Sequence, residues 1–228
     1  ANSEQKNIGL IAGVIEWFDS LNVIRRGTSF VTMSQGIVKY DTFRQQIVSG
    51  LSTADTGICD VLFTPVEREK VPMPDEVLAH FESQLVDDKE AFLTNNISEG
   101  AVFRMRLKEN GEVSYERLVT KHKDGDEQFK LPLDQESDGT IRYLNLLPIL
   151  YRAGQQNNRG VYLIDELEDS LHPKLTEELL RRFLNSTGND QCRQLIFTTH
   201  EVHLLRCDML RRDEIWLVEK HGHNSELV

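Results

Sequence analysis

A chain of 228 residues, 39% hydrophobic and 28% charged, is long enough to bury a real core, as one large domain or one domain with a sizeable insertion. Its formal net charge of -11 argues against broad, sequence-independent binding of nucleic acid. Three cysteines without a Cys-x-x-Cys spacing argue against a disulfide framework or a zinc site and point to reduced thiols in a cytoplasmic setting. No apolar run approaches the length of a membrane span, and the first residues carry no signal-peptide pattern.

In chain order, Ile8, Ile11, Val14, Ile15, Phe18 and Leu21 fall at helical spacing and predict an amphipathic helix over about 7–22. Residues 22–40 are mixed, with breaks at Gly27 and Gly36. Asp41 caps a short helix that carries Phe43, Ile47 and Val48 and ends near Gly50. Residues 60–66 read as a strand closed by Pro65, Pro72 and Pro74 mark a loop, and a helix from Asp75 lines up Val77, Leu78, Phe81 and Leu85. The polar stretch 87–100 reads as a helix end or a surface excursion. Then Phe103, Met105 and Leu107 alternate with Arg104, Arg106 and Lys108, Asn110-Gly111 turns the chain, and Val113 and Tyr115 alternate on the return. A second turn at Asp124-Gly125 leads to a run around Phe129, Leu131 and Leu133, which completes an antiparallel meander. Ser137-Asp138-Gly139-Thr140 caps a helix with Ile141, Leu144, Leu147 and Tyr151 on one face, and Pro148 should kink it.

The chain turns on Val161-Tyr162-Leu163-Ile164, a short apolar run that reads as a buried strand and delivers Asp165-Glu166 to its end. In open α/β sheets, ligands bind outside the carboxyl ends of the strands. Pro173 opens a helix with Leu175, Leu179, Leu180 and Phe183 that stops near Gly188. Leu195-Ile196-Phe197 is a second buried strand, ending in Thr198-Thr199-His200, and a short helix with Leu204 and Leu205 follows. Ile215–Val218 reads as a third strand, with Glu226–Val228 returning. A right-handed crossover would set the Asp165 and His200 strand ends side by side. Two acids and a histidine there suit a metal–phosphate site: Asp165 for Mg²⁺ through water, Glu166 to polarise the attacking water, His200 for a terminal phosphate.

The residues from Val161 to Pro173 resemble the Walker B strand, catalytic glutamate and D-loop of ABC-type ATPase heads. Gln194–His200 resembles their switch-histidine strand, and Glu136–Arg142 resembles their signature motif, with Ser-Asp-Gly-Thr in place of Ser-Gly-Gly-Gln. The order of these elements is the family's order. Residues 54–58 and 210–216 also resemble segments of the stand-alone bacterial ATP-binding proteins of the AAA_15/AAA_21 type, many of them in abortive-infection, Septu-like and retron-associated antiphage modules. The resemblance covers most of the chain from about residue 50 onward.

This resemblance implies an α/β fold: an ABC-ATPase-like head lobe with a mixed sheet flanked by helices, plus an antiparallel β-meander and a helical insertion. The implied divisions are a helical linking region over 1–59, a strand–helix insertion over 60–100, and the core lobe over 101–228. The implied activity is hydrolysis of ATP to ADP and phosphate, with ATP and Mg²⁺ as cofactors. Glu166 would be the general base, His200 would sense the γ-phosphate, and Asp165 would position the metal. Ser137 and Gly139 would bind the γ-phosphate of a nucleotide held by a second head, with Asp138, Thr140 and Arg142 in the same motif. Glu168, Asp169 and Ser170 would form the D-loop across that interface. The implied partners are a second head and an effector protein, a nuclease or toxin, in a cytoplasmic antiphage system.

No Gly-x-x-x-x-Gly-Lys-Ser/Thr occurs in the sequence, so the phosphate loop and its lysine are expected on a lobe N-terminal to these residues. A non-hydrolysing scaffold that assembles or restrains a partner is the main alternative. A DNA-repair or chromosome-maintenance ATPase would predict long heptad arms, and none is seen. His200-Glu201-Val202-His203 spaces its histidines three apart rather than the four of zinc metalloproteases. His221 and His223 flank a turn glycine, Ser137 has no histidine at triad spacing, and Cys59 lacks an identifiable base. Arg25-Arg26, Arg181-Arg182 and Arg211-Arg212 read as solvated pairs, leaving nucleic acid without positive support.

Overall fold

The computed structural model describes residues 11–15, 17–24, 30–85, 90–94, 101–155, 160–186, 193–206 and 208–227. Two sheets organise them. The first is parallel, in the order β1 (Leu21–Ile24), β7 (Val161–Ile164), β8 (Gln194–Phe197). Its register aligns Ile24, Ile164 and Phe197 at the carboxyl end. The second is antiparallel and five-stranded: β2 (Ile58–Val66), β3 (Glu90–Thr94), β4 (Val102–Leu107), β5 (Val113–Asp124) and β6 (Glu127–Pro132). The long strand β5 pairs with β2 along one edge and with β4 and then β6 along the other. The fold is therefore α/β as the sequence implied, with its parallel pairings in one sheet and its antiparallel pairings in others.

The helices α1 (Phe30–Lys39), α2 (Asp41–Thr53), α4 (Asp138–Gly154) and α5 (Pro173–Ser186) build the main core between these sheets, and α3 (Asp75–Gln84) covers a smaller one. Leu144, Leu146 and Leu147 of α4 pack with Phe43, Ile47 and Leu51 of α2, and Leu179, Leu180 and Phe183 of α5 pack under Tyr162 and Ile164. Gly36 lies inside α1 because the Phe43 ring occupies the space a Cβ would need, 2.7 Å from that position. The helix continues through this expected break, since close approach of α2 requires the missing side chain. Likewise α4 runs unbroken through Pro148, its neighbours Leu144, Leu146, Leu147 and Ile149 all being buried. That burial offsets the lost backbone hydrogen bond.

Several local expectations change. Residues 11–15 and 17–19 are helical, but Leu21 already belongs to β1, and Ile8 lies outside the described residues. The apolar stripe of that helix, including Ile11, Val14, Ile15 and Phe18, is at least half exposed. The 60–100 stretch, expected as an insertion apart from the meander, contributes most of β2 and all of β3 to the meander's own sheet. The third strand expected over Ile215–Val218 is not added to the parallel sheet. Instead β9 (Val218–His221) pairs only with β10 (Asn224–Leu227), a hairpin with every residue exposed and Gly222 at its turn.

The parallel sheet is covered on one face and partly exposed on the other. Tyr162 and Ile164 face the helices, with the Tyr162 and Phe183 rings edge to face at 6.0 Å. Val23, Leu163 and Ile196 stand in one row across the strands, and Val23 and Ile196 are 53% and 54% exposed. No helix among the described residues is long and apolar enough to cross a membrane.

Candidate functional site

The site forms where β7 and β8 end. Backbone pairing continues past both strands: Thr198 N–H donates to the Ile164 carbonyl at 3.0 Å, and Leu167 N–H donates to the Thr198 carbonyl at 3.0 Å. The turn between these bonds is tight. Glu166 and Ser170 adopt left-handed φ values of 49° and 60°, a conformation that costs a residue with a Cβ about 1 kcal/mol. Fully buried Leu167 pins the turn to the core, which compensates that cost.

This turn holds the two acids in different settings. The Thr198 hydroxyl donates to Asp165 Oδ1 at 2.6 Å and accepts the Glu166 N–H at 2.8 Å. Glu166 points outward, its side chain 58% exposed, and Glu166 Oε1 lies 3.9 Å from His200 Nε2. That separation is too long for a direct hydrogen bond and suits a bridging atom between the two groups. Glu168 turns inward instead and accepts the His200 N–H at 2.6 Å. Burial pushes the Glu168 carboxyl upward, but hydrogen bonds from the His200 amide and the Thr199 hydroxyl outweigh it and hold the group below its ordinary range.

The segment Glu136–Arg142 meets the same turn from the other side. Ser137 is the N-cap of α4, its Oγ accepting the Thr140 N–H at 3.1 Å and lying 2.9 Å from Thr140 Oγ1. Ser137 and Asp138 are exposed at the helix N-terminus, where the backbone dipole favours anions. A Cβ on Gly139 would come within 2.9 Å of the Ser170 carbonyl oxygen, so the two loops touch backbone to backbone. Arg142 is 3% exposed and donates to the carbonyls of Asp165 at 3.3 Å and Glu166 at 3.2 Å. In this chain Arg142 thus braces the acidic turn from below. Asp169 accepts from the Ser170 hydroxyl at 3.0 Å.

The structure thus gathers Asp165, Glu166, Asp169, His200 and the Ser137–Arg142 segment around one strand-end turn. Sequence reading passed over Thr198 as a binding residue and gave Glu168 only a D-loop role. The signal for Thr198 was a hydroxyl at the tip of the neighbouring strand. No cluster of three or more metal-ligating side chains occurs among the described residues. A cavity of about 580 Å³ lies elsewhere, between β1, α1 and α4, with Phe43, Pro148, Tyr151 and Arg152 in its wall.

Three of the paired arginines make ion pairs within the molecule. Arg181 and Arg182 pair with Glu177 and Glu178 at 2.8 Å, and Arg211 pairs with Glu214 at 3.1 Å. Arg25-Arg26 lies outside the described residues. A family model described as "AAA domain, putative AbiEii toxin, Type IV TA system" matches residues 39–206, which include every residue of the strand-end site. No curated protein matches the chain.

Proposed function

The chain belongs to the AAA_21 family of AAA domains, and from that premise we propose that it binds and hydrolyses nucleotide, carrying the Walker B and signature elements of a paired ATPase head. ATP-dependent pairing of two such heads would control a partner effector, a nuclease or toxin, in bacterial antiphage defence. The toxin–antitoxin wording of the family description supports an effector partner. The observation that carries the ATPase reading is the meeting of Glu166 and His200 at adjacent parallel strand ends, 3.9 Å apart.

In this reading Glu166 takes the proton of the attacking water, and its exposed carboxylate is free to do so. His200 contacts the terminal phosphate, its position set by the backbone bond to Glu168. Asp165, oriented by Thr198, would hold Mg²⁺, which when bound neutralises phosphate charge. Ser137, Asp138, Gly139 and Thr140 present a helix N-terminus to the phosphate of the nucleotide on the second head. A phosphate loop is absent from the sequence, so turnover is expected of the protein completed by a lobe that supplies one.

The test is ATP turnover by the full-length protein, wild type against Glu166→Gln, with ATP-dependent dimerisation followed in parallel. The expected result is a fall in turnover on the order of 10² or more while the ATP-bound dimer persists. A wild-type protein with neither turnover nor ATP-dependent pairing, its partner present, would instead be a scaffold.

A further inference from the structure

Behind the signature segment lies a buried polar cluster that the hydrolysis chemistry leaves unused. Glu136, the residue before Ser137, has a side chain only 7% exposed, and His122 on β5 is 13% exposed. His122 Nε2 and Glu136 Oε1 are 2.6 Å apart. The Thr120 hydroxyl lies against the same carboxylate oxygen and is 3.1 Å from the Leu131 carbonyl of β6. The imidazole is stacked on Phe129 at 4.9 Å with the rings 4° from parallel, so its orientation is fixed before the carboxylate is considered.

We infer that His122 and Glu136 are positioning residues for Ser137, locking the entry of the signature loop to the meander sheet. A buried polar pair seldom adds net stability over apolar side chains of the same volume, because desolvation offsets the attraction. What such a pair does supply is a directional constraint, met in one arrangement only. Here the constraint acts one residue before the Ser137 cap, at the point where the chain leaves the 3₁₀ turn Leu133–Gln135 and enters α4. An apolar contact at Glu136 would keep the core filled but let the loop slide. The Ser137 hydroxyl and the following amides would then lose their fixed aim. This inference rests on the ATPase reading for its functional consequence, and on geometry alone for the positioning.

The experiment uses the full-length protein with Glu136→Leu, Glu136→Gln and His122→Ala, read by hydrogen exchange, thermal melting and ATP kinetics. In Glu136→Leu, amide exchange over 137–142 should rise on the order of tenfold, through local opening rather than global unfolding. Turnover should fall on the order of tenfold through kcat, with the KM for ATP little changed, as expected of a misplaced contact. His122→Ala should reproduce both effects, and Glu136→Gln, which keeps hydrogen bonds to His122 and Thr120, should recover most of the loss. Unchanged exchange over 137–142 in folded Glu136→Leu overturns the inference. If that variant does not fold, His122→Ala decides by the same exchange measurement. Should the wild type turn over no ATP, the ATPase reading falls while the exchange result still decides the positioning role.

Discussion

Thr198 gives its hydroxyl hydrogen to Asp165 and takes the amide hydrogen of Glu166, so one side chain orients both acids. Glu168, two residues on, does the reverse of what its place in an exposed acidic run suggests. It points back and caps the His200 amide. Its carboxyl is held below the ordinary value of 4.5, so the stabilisation is complete above about that pH and is lost as the pH falls through the lower folded value. Glu168→Gln should therefore melt a few degrees below wild type near neutral pH, and the gap should close as the pH is lowered below about 4. Melting curves of both proteins across that range check the sign. The sequence assigns Asp165 and Glu166 their expected roles but does not reveal that Glu168 turns inward, because that direction is set by a turn with two left-handed residues.

Among the elements, those set by strong local patterns were readable. Alternation and the Asn-Gly and Asp-Gly turns gave β4, β5 and β6, and the proline at its start gave α5. The elements that were not readable depend on distant neighbours. β1 has only four residues, one of them Asn22, and exists because it pairs with β7. α1 contains a glycine that only the Phe43 ring explains. The Ile215–Val218 run has the composition of a buried strand, yet only Val218 of it enters a strand, and that strand pairs with β10. Where two loops touch, composition says little and space says much. Gly139→Ala places a methyl against the Ser170 backbone, which cannot swing aside as a side chain would. It should destabilise the fold by about 1–3 kcal/mol in chemical denaturation and loosen the junction between α4 and the acidic turn.

At the scale of the molecule, the second face of the parallel sheet leaves Val23 and Ile196 about half exposed, whereas such sheets are ordinarily buried on both faces. These exposed side chains should make the 228-residue chain on its own bind hydrophobic dyes and self-associate. Ile196→Lys should reduce both, measured by dye fluorescence and by sedimentation, with little change in helix content. The contacts at the strand ends carry a different consequence. Gly139 rests on Ser170, Glu168 holds His200, and Arg142 holds the carbonyls of Asp165 and Glu166, all within one chain. In the proposed reading, the edge that would meet a second head and the edge that would sense phosphate are thus joined by direct contacts. In a pair of heads, each chain would be sender and receiver of the same message, and the rate should rise with ATP along a sigmoid rather than a hyperbola.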